Sequence, residues 1–165
     1  ACRLCTVEVT EGKRTRLVTA CLFPVREGLA VQTSTEQVKR LRRGLMELLL
    51  ARCPNVPSVQ EMARKMGVEK PRFPLGDETC TLCGLCTRAC AEIIGRSAIS
   101  LVSRGVEREV GNAFFEVSQD CVGCGDCVYI CPTKCITLGR DGKAVFRRRK
   151  GAGYGPRGDA QPAKV

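Results

Sequence analysis

The sequence predicts an α+β protein built in two parts, and three observations carry that expectation. Short runs of alternating apolar and polar residues near the N-terminus lead into one long helical pattern. Further along, eight of the thirteen cysteines fall into two runs of a single form: Cys80, Cys83, Cys86, Cys90 and Cys121, Cys124, Cys127, Cys131. Between the two parts, Pro71 and Pro74 mark a linker.

Residues 4 to 9 alternate, with Leu4, Val7 and Val9 among polar neighbours, and 17 to 20 and 29 to 31 are similar short runs. Alternation of period two suits strands with one buried face, so a small sheet is expected. Residues 34 to 52 predict a helix. Ser34 can cap it with Gln37 three positions on, and Val38, Leu41, Leu45, Leu48 and Leu49 form a stripe at helical spacing. Lys39, Arg40, Arg42 and Arg43 fall largely off that stripe and read as a solvated face. After Pro54 and Pro57 a shorter helix, 58 to 66, is signalled by a Ser58–Glu61 capping box and stopped by Gly67.

Each cysteine run reads C-x2-C-x2-C-x3-C, the spacing of bacterial two-cluster ferredoxins. Three thiolates at i, i+3 and i+6 on a looping backbone wrap one corner of a cubane, and the fourth cysteine of each run reaches the other cluster. The expected ligation is therefore crossed. One 4Fe-4S cluster takes Cys80, Cys83, Cys86 and Cys131, and the second takes Cys121, Cys124, Cys127 and Cys90. A zinc ribbon would space its cysteines as two pairs, often with histidine, and this chain has no histidine. An odd cysteine count argues against a disulfide scaffold. Pro132 follows the second run as usual, whereas Ala91 stands after Cys90 where proline is common. Each ligand loop should lead into a short helix, with apolar strands at 99 to 102, 114 to 117 and 135 to 138 closing over the clusters. The insert from Ala91 to Asp120 has room for an extra hairpin that docks a partner. Cys135 exceeds the ligand count and reads as a core residue, with a ligand-exchange role as the lesser alternative.

A second cysteine set opens the chain: Cys2 and Cys5 in ACRLC, then Cys21. ACRLCTVEV and LVTACLFPVREGLAVQTSTEQVKRLRRGLMELLLA, over about residues 1 to 52, resemble the N-terminal 2Fe-2S domain of an iron–sulfur subunit of complex I and of the diaphorase small subunits of NAD-linked hydrogenases. The resemblance implies a partial β-grasp ferredoxin domain holding a 2Fe-2S cluster on Cys2, Cys5 and Cys21. Such a cluster takes four cysteines, and in that family the first lies about ten residues before the C-x2-C pair. A fourth ligand upstream of Ala1 is therefore expected, with Ala1 not the biological start. Cys53 is the other candidate, although a single cysteine near a helix end is more often a packed small hydrophobe. Many members of that family hold a further cluster on one histidine and three cysteines between the two parts. Only Cys53 is available here, so that cluster is expected to be absent and helix 58 to 66 to act as a spacer.

The expected division is thus 1–52 for the 2Fe-2S domain, 53–76 for a helical spacer, 77–146 for the two-cluster ferredoxin domain and 147–165 for a basic tail. That tail has six basic residues and one acidic, so it carries +5 of the formal net charge of +10. Its glycine and proline content predicts a flexible tail or an arm that orders only on a partner. Each cluster with four thiolates carries a net charge of roughly −2, so three would offset about six positive charges. This weakens a nucleic-acid reading, as does the small set of five phenylalanines and two tyrosines, none in an RNA-reading motif. No run approaches the roughly eighteen apolar residues of a membrane span, and a soluble, cytoplasmic protein is expected.

No Gly-rich dinucleotide fingerprint and no acid, base or nucleophile constellation is present, so no catalytic residue is expected on this chain. It should carry electrons one at a time. The resemblance implies a flavoprotein partner that oxidises NADH and a terminal redox subunit: a hydrogenase, a formate dehydrogenase or a bifurcating core. Two alternatives stand beside this reading. One is a fumarate-reductase-like iron–sulfur subunit, whose first cluster usually uses a C-x4-C-x2-C spacing. The other is a zinc-stabilised nucleic-acid-binding module.

Overall fold

The computed structural model describes residues 2–112, 116 and 118–146. It divides into two compact units, Ala1–Asp77 and Glu78–Val165. The expectations placed on 114 to 117 and on 147 to 165 lie outside the described residues.

In the first unit, β1 (Thr6–Glu11), β2 (Arg14–Thr19) and β3 (Ala30–Gln32) form an antiparallel sheet in the order β2-β1-β3. β1 and β2 pair from Thr6↔Thr19 to Glu11↔Arg14. The two-residue turn between them has Gly12 at φ +60°, the first central position at which a tight hairpin of matching twist takes glycine. Val7 and Val9 are buried, as the alternation requires.

Helix α1 (Glu36–Arg52) follows. Its cap is Thr35 rather than Ser34: the Val38 N–H donates to Thr35 Oγ1 at 3.3 Å, and Thr35 Oγ1 in turn donates to Glu8 Oε2 at 3.3 Å. The buried face is also not the leucine stripe. Val38, Met46 and Leu50 are buried, while Leu41 and Leu48 are exposed. Arg42 explains the difference, because it lies in the same i, i+4, i+8 row and turns inward. Its Nε and Nη2 donate to the Thr6 carbonyl at 3.0 and 2.7 Å, which ties α1 to β1.

Helix α2 (Pro57–Lys65) starts with Pro57 in its first turn and has no side-chain cap, so the Ser58–Glu61 capping box does not form. Proline tolerates that position because its missing N–H would be unpaired there anyway. Glu61 instead pairs with Lys65 at 2.7 Å. Gly67, at φ +69°, ends the helix as expected. Residues 53–77 are more than a spacer. Met46, Leu50, Cys53, Val56, Val59, Ala63 and Val68 share one core. The returning segment is pinned to α1 by Gly76 N–H donating to the Ala51 carbonyl at 2.6 Å and by Arg72 with Glu47 at 2.7 Å.

The second unit runs through α3 (Leu85–Arg88), a π-helical turn (Ala89–Ile93), β4 (Ser100–Val102), a 3-10 turn (Gly105–Glu107), β5 (Glu109–Gly111), α4 (Asp126–Ile130), β6 (Ile136–Leu138) and β7 (Ala144–Phe146). β4 with β5 and β6 with β7 are antiparallel hairpins. The insert thus supplies the hairpin for which it has room. The core is partly made of cysteine: Cys86, Cys127 and Cys131 are buried with Ile99, Val110, Ile136 and Ala144. The chain is mixed α/β, and among the described residues no helix is long and apolar enough to cross a membrane.

Met46 is fully buried between α1 and α2, whereas Leu48 is 50% exposed. Met46→Ala is expected to lower stability by about 2–5 kcal/mol through lost burial and a cavity. Leu48→Ala should change it by less than about 1 kcal/mol. Urea denaturation followed by circular dichroism checks both.

Candidate iron–sulfur centres

At the N-terminal site, strand register does the positioning. The β1–β2 ladder continues one step past Thr6↔Thr19, with Ala20 N–H donating to the Cys5 carbonyl at 3.2 Å. Cys21 therefore arrives beside Cys5, and their Sγ atoms lie 3.3 Å apart. Arg3, at φ +55°, turns the chain between Cys2 and Cys5, and its carbonyl accepts from Thr6 N at 3.1 Å and Thr6 Oγ1 at 2.7 Å. Hydrogen bonds from the backbone and then the side chain of Cys21 hold the Cys5 thiol below its ordinary pKa. Cys21 is pushed up, first by that shared bond with Cys5, and it also senses the charge of Cys2. The structure thus brings Cys2, Cys5 and Cys21 together near the surface. Cys53 is instead fully buried among Met46, Leu50 and Val56.

In the second unit the two runs fold alike. Within each, the first cysteine is half-buried (Cys80, Cys121), the second exposed (Cys83, Cys124) and the third buried (Cys86, Cys127). Each loop needs two left-handed residues to aim its sulfurs inward. They are Leu82 and Gly84 in the first run, at φ +56° and +73°, and Gly123 and Gly125 in the second, at +70° and +80°. Gly84 and Gly125 then begin α3 and α4. The second of the paired loops has no room for a side chain, since a Cβ on Gly123 would stand 2.7 Å from the Gly142 carbonyl oxygen.

The fourth cysteines diverge locally. Pro132 follows Cys131 and the helix stops there. Ala91 follows Cys90, and the chain runs on into the π-helical turn, with Ile94 N–H donating to the Ala89 carbonyl at 3.1 Å and Arg96 N–H to the Cys90 carbonyl at 3.0 Å. Single π turns of this kind occur frequently at functional sites.

Two groupings result. Cys90, Cys121, Cys124 and Cys127 line one pocket, partly open to solvent, with Ile94, Ile99 and Leu138 as its apolar walls. Cys86 senses the charges of Cys83, Cys131 and Cys127, and Cys80 those of Cys86 and Cys83. Cys90 thus lies beside the second run, and Cys86 of the first run has both Cys131 and Cys127 near it. Burial is the leading cause that pushes the Cys86 thiol up to about 11, and burial also raises Cys127. Iron binding must therefore displace protons from these thiols. Cys80 is held below its ordinary value, chiefly by a hydrogen bond from Cys135.

Among the described residues, no three His, Cys, Asp or Glu side chains stand close enough to hold a single ion. Thiolates ringing a cavity with apolar walls fit a cluster, whose irons lie between its ligands. Sequence reasoning placed Cys135 in the core, with ligand exchange as the lesser alternative, and the structure sets its sulfur 3.6 Å from that of Cys131. Its spacing from Cys131 gave no signal, because the turn that brings it back depends on Lys134 at φ +53°.

Comparison with known proteins defines the class. Residues 79–135 match the family described as a 4Fe-4S dicluster domain, and residues 1–36 match the 2Fe-2S iron-sulfur cluster binding domain. The chain is thus an iron–sulfur protein combining both kinds of ferredoxin-like domain. Among individual proteins, it is 32% identical over 158 residues to the NADPH-Fe(3+) oxidoreductase subunit alpha of Geobacter sulfurreducens, covering 81% of this chain and 18% of that protein. It is 30% identical over 160 residues to a subunit of the NADH-quinone oxidoreductase of Rhizobium meliloti, covering 80% and 18%. It is also 30% identical over 160 residues to an NADP-reducing hydrogenase subunit of Solidesulfovibrio fructosivorans, covering 81% and 27%. This chain therefore spans about a fifth to a quarter of the length of those relatives. Among solved structures, an NAD+-reducing NiFe-hydrogenase in the H2-reduced state superposes with a TM-score of 0.65 at 26% identity, covering 88% of this chain and 69% of that one.

Gly123→Ala is expected to lower the iron bound by the chain, because the added methyl meets a backbone oxygen that cannot swing aside. Gly84→Ala has the same left-handed strain but nothing nearer than 3.6 Å, so it should lose less. Iron and acid-labile sulfide assays on the two variants separate clash from strain.

Proposed function

We propose that this chain is an iron–sulfur electron-transfer subunit that relays single electrons between a nicotinamide-oxidising flavoprotein and a second redox module of a multisubunit oxidoreductase. Cys80, Cys83, Cys86 and Cys131 hold one 4Fe-4S cluster, and Cys121, Cys124, Cys127 and Cys90 hold the other. Cys2, Cys5 and Cys21 supply three of the ligands of a 2Fe-2S cluster on a partial β-grasp domain. The carrying observation is the adjacency of the two four-cysteine groupings, close enough that Cys86 senses both Cys131 and Cys127. When bound, the clusters supply one-electron carriers. The residues of the chain hold the sulfurs, shield them with Ile99, Val110 and Ile136, and keep the two sites side by side.

The nature of the partners follows from chemistry and from the names of the relatives. Those names share a nicotinamide but differ in its counterpart: ferric iron, a quinone or hydrogen. The segment matching this chain therefore belongs with the nicotinamide side of the reaction. Nicotinamide gives up a hydride, two electrons at once, whereas an iron–sulfur cluster accepts one, so a flavin must stand between them. A terminal hydrogenase, formate dehydrogenase or bifurcating core completes the relay. Thirteen cysteines kept as thiols suit a reducing, cytoplasmic setting.

Two experiments test this. In the anaerobically isolated protein, NADH or NADPH should bleach the iron–sulfur absorbance only when the flavoprotein partner is present. Reduction by nicotinamide alone, or none with the partner, would overturn the relay. Cys90→Ser and Cys131→Ser should each damage the cluster nucleated by the opposite run. Lesions confined by EPR to their own run would overturn the crossed ligation.

A further inference from the structure

Cys135 is left over when the eight cysteines of the second unit are assigned. It lies four residues past Cys131, just before β6. The turn that returns it has the Lys134 N–H donating to the Cys131 carbonyl at 3.3 Å. Cys135 Sγ thereby comes to 3.6 Å from Cys131 Sγ, and it also lies within hydrogen-bond reach of the Cys80 sulfur. Its two sulfur neighbours come from different runs but from the same proposed ligand set. The equivalent position in the other run, four past Cys90, is Ile94, an apolar wall of the second cavity. Two loops otherwise built alike therefore differ here: one set of sulfurs has a thiol against it and the other a hydrocarbon.

We infer that Cys135 tunes the cluster held by Cys80, Cys83, Cys86 and Cys131, its S–H donating a hydrogen bond to a ligand sulfur and raising that cluster's reduction potential. The inference rests on the ligation proposed above. A sulfur bound to iron has no proton to give, so in the loaded protein Cys135 is the donor of this pair. Reduction adds negative charge to the cluster and its sulfurs, and a hydrogen bond to sulfur stabilises that charge. Thr133 Oγ1, 3.5 Å from Cys131 Sγ, and Leu82 N–H, donating to Cys80 Sγ at 3.4 Å, act on the same two sulfurs. Cys135 is a positioning residue in this role and not a fifth ligand. Its effect is to separate the potentials of two neighbouring sites and to favour the electron resting on the first.

The test compares the anaerobically isolated wild-type protein with Cys135→Ala and Cys135→Ser, measuring iron, acid-labile sulfide and EPR-monitored redox titrations. Cys135→Ala should keep the wild-type iron count and shift one 4Fe-4S potential to more negative values while leaving the other in place. Cys135→Ser, which keeps a donor, should restore most of the shift. Unmoved potentials at full iron content would overturn the inference. Loss of about four irons from Cys135→Ala would also overturn it, by making Cys135 a ligand. Absence of clusters from the wild-type protein would refute the ligation itself, a distinct failure.

Discussion

Thiolates brought together repel one another, and the second unit is organised around holding them in place regardless. Two unit charges about 4 Å apart repel by about 4 kcal/mol at an effective dielectric of about 20. Burial is the first cause that raises the Cys86 pKa, and the charges of Cys83, Cys131 and Cys127 raise it further. At Cys86 and Cys127 burial favours the neutral thiol, so a metal bound there would displace their protons. The apolar residues of this unit, Ile99, Val110, Ile136 and Ala144, form a core only by including cysteine.

The backbone meets that demand by repeating one device twice and then varying it. Each loop uses two left-handed positions so that its sulfurs face inward, and each ends in a short helix beginning at Gly84 or Gly125. The repeats part after the fourth cysteine. Pro132 stops one chain, and the next residues turn back so that Cys135 reaches the sulfurs. Ala91 lets the other continue for a further turn and leaves Ile94 at the cavity wall. Sites with the same ligand pattern thus acquire different surroundings, and surroundings set cluster potential. In the first unit the equivalent work falls to strand register, with Arg42 fastening the helix to the strand that carries Cys5 into place.

Much of this was legible in sequence because spacing is a strong signal where ligands are covalently demanding. The two cysteine runs, the strand-and-helix order at the N-terminus and the hairpin in the insert could all be read from residues alone. What could not be read depended on a side chain going somewhere unexpected. Of the five apolar residues on α1 that suggested one face, Val38 is buried and Leu49 packs against the core, but Leu41 and Leu48 are exposed, while Arg42 takes an inward position to bond a carbonyl. Thr35 outcompetes Ser34 as cap because it also reaches Glu8. The Ser58–Glu61 box fails because the helix begins at Pro57 and Glu61 meets Lys65. Cys135 could be placed in the core, but its approach to Cys131 could not be read, because left-handed Lys134 carries no sequence signature as glycine would.

The central claim is that residues 78–146 fold around two cubane clusters. Iron, acid-labile sulfide and zinc measured on an anaerobically purified Cys2→Ser, Cys5→Ser double variant test it most directly, since the first site is then removed. The account predicts about eight irons and eight sulfides per chain and no stoichiometric zinc. About four irons, or zinc without sulfide, would contradict it.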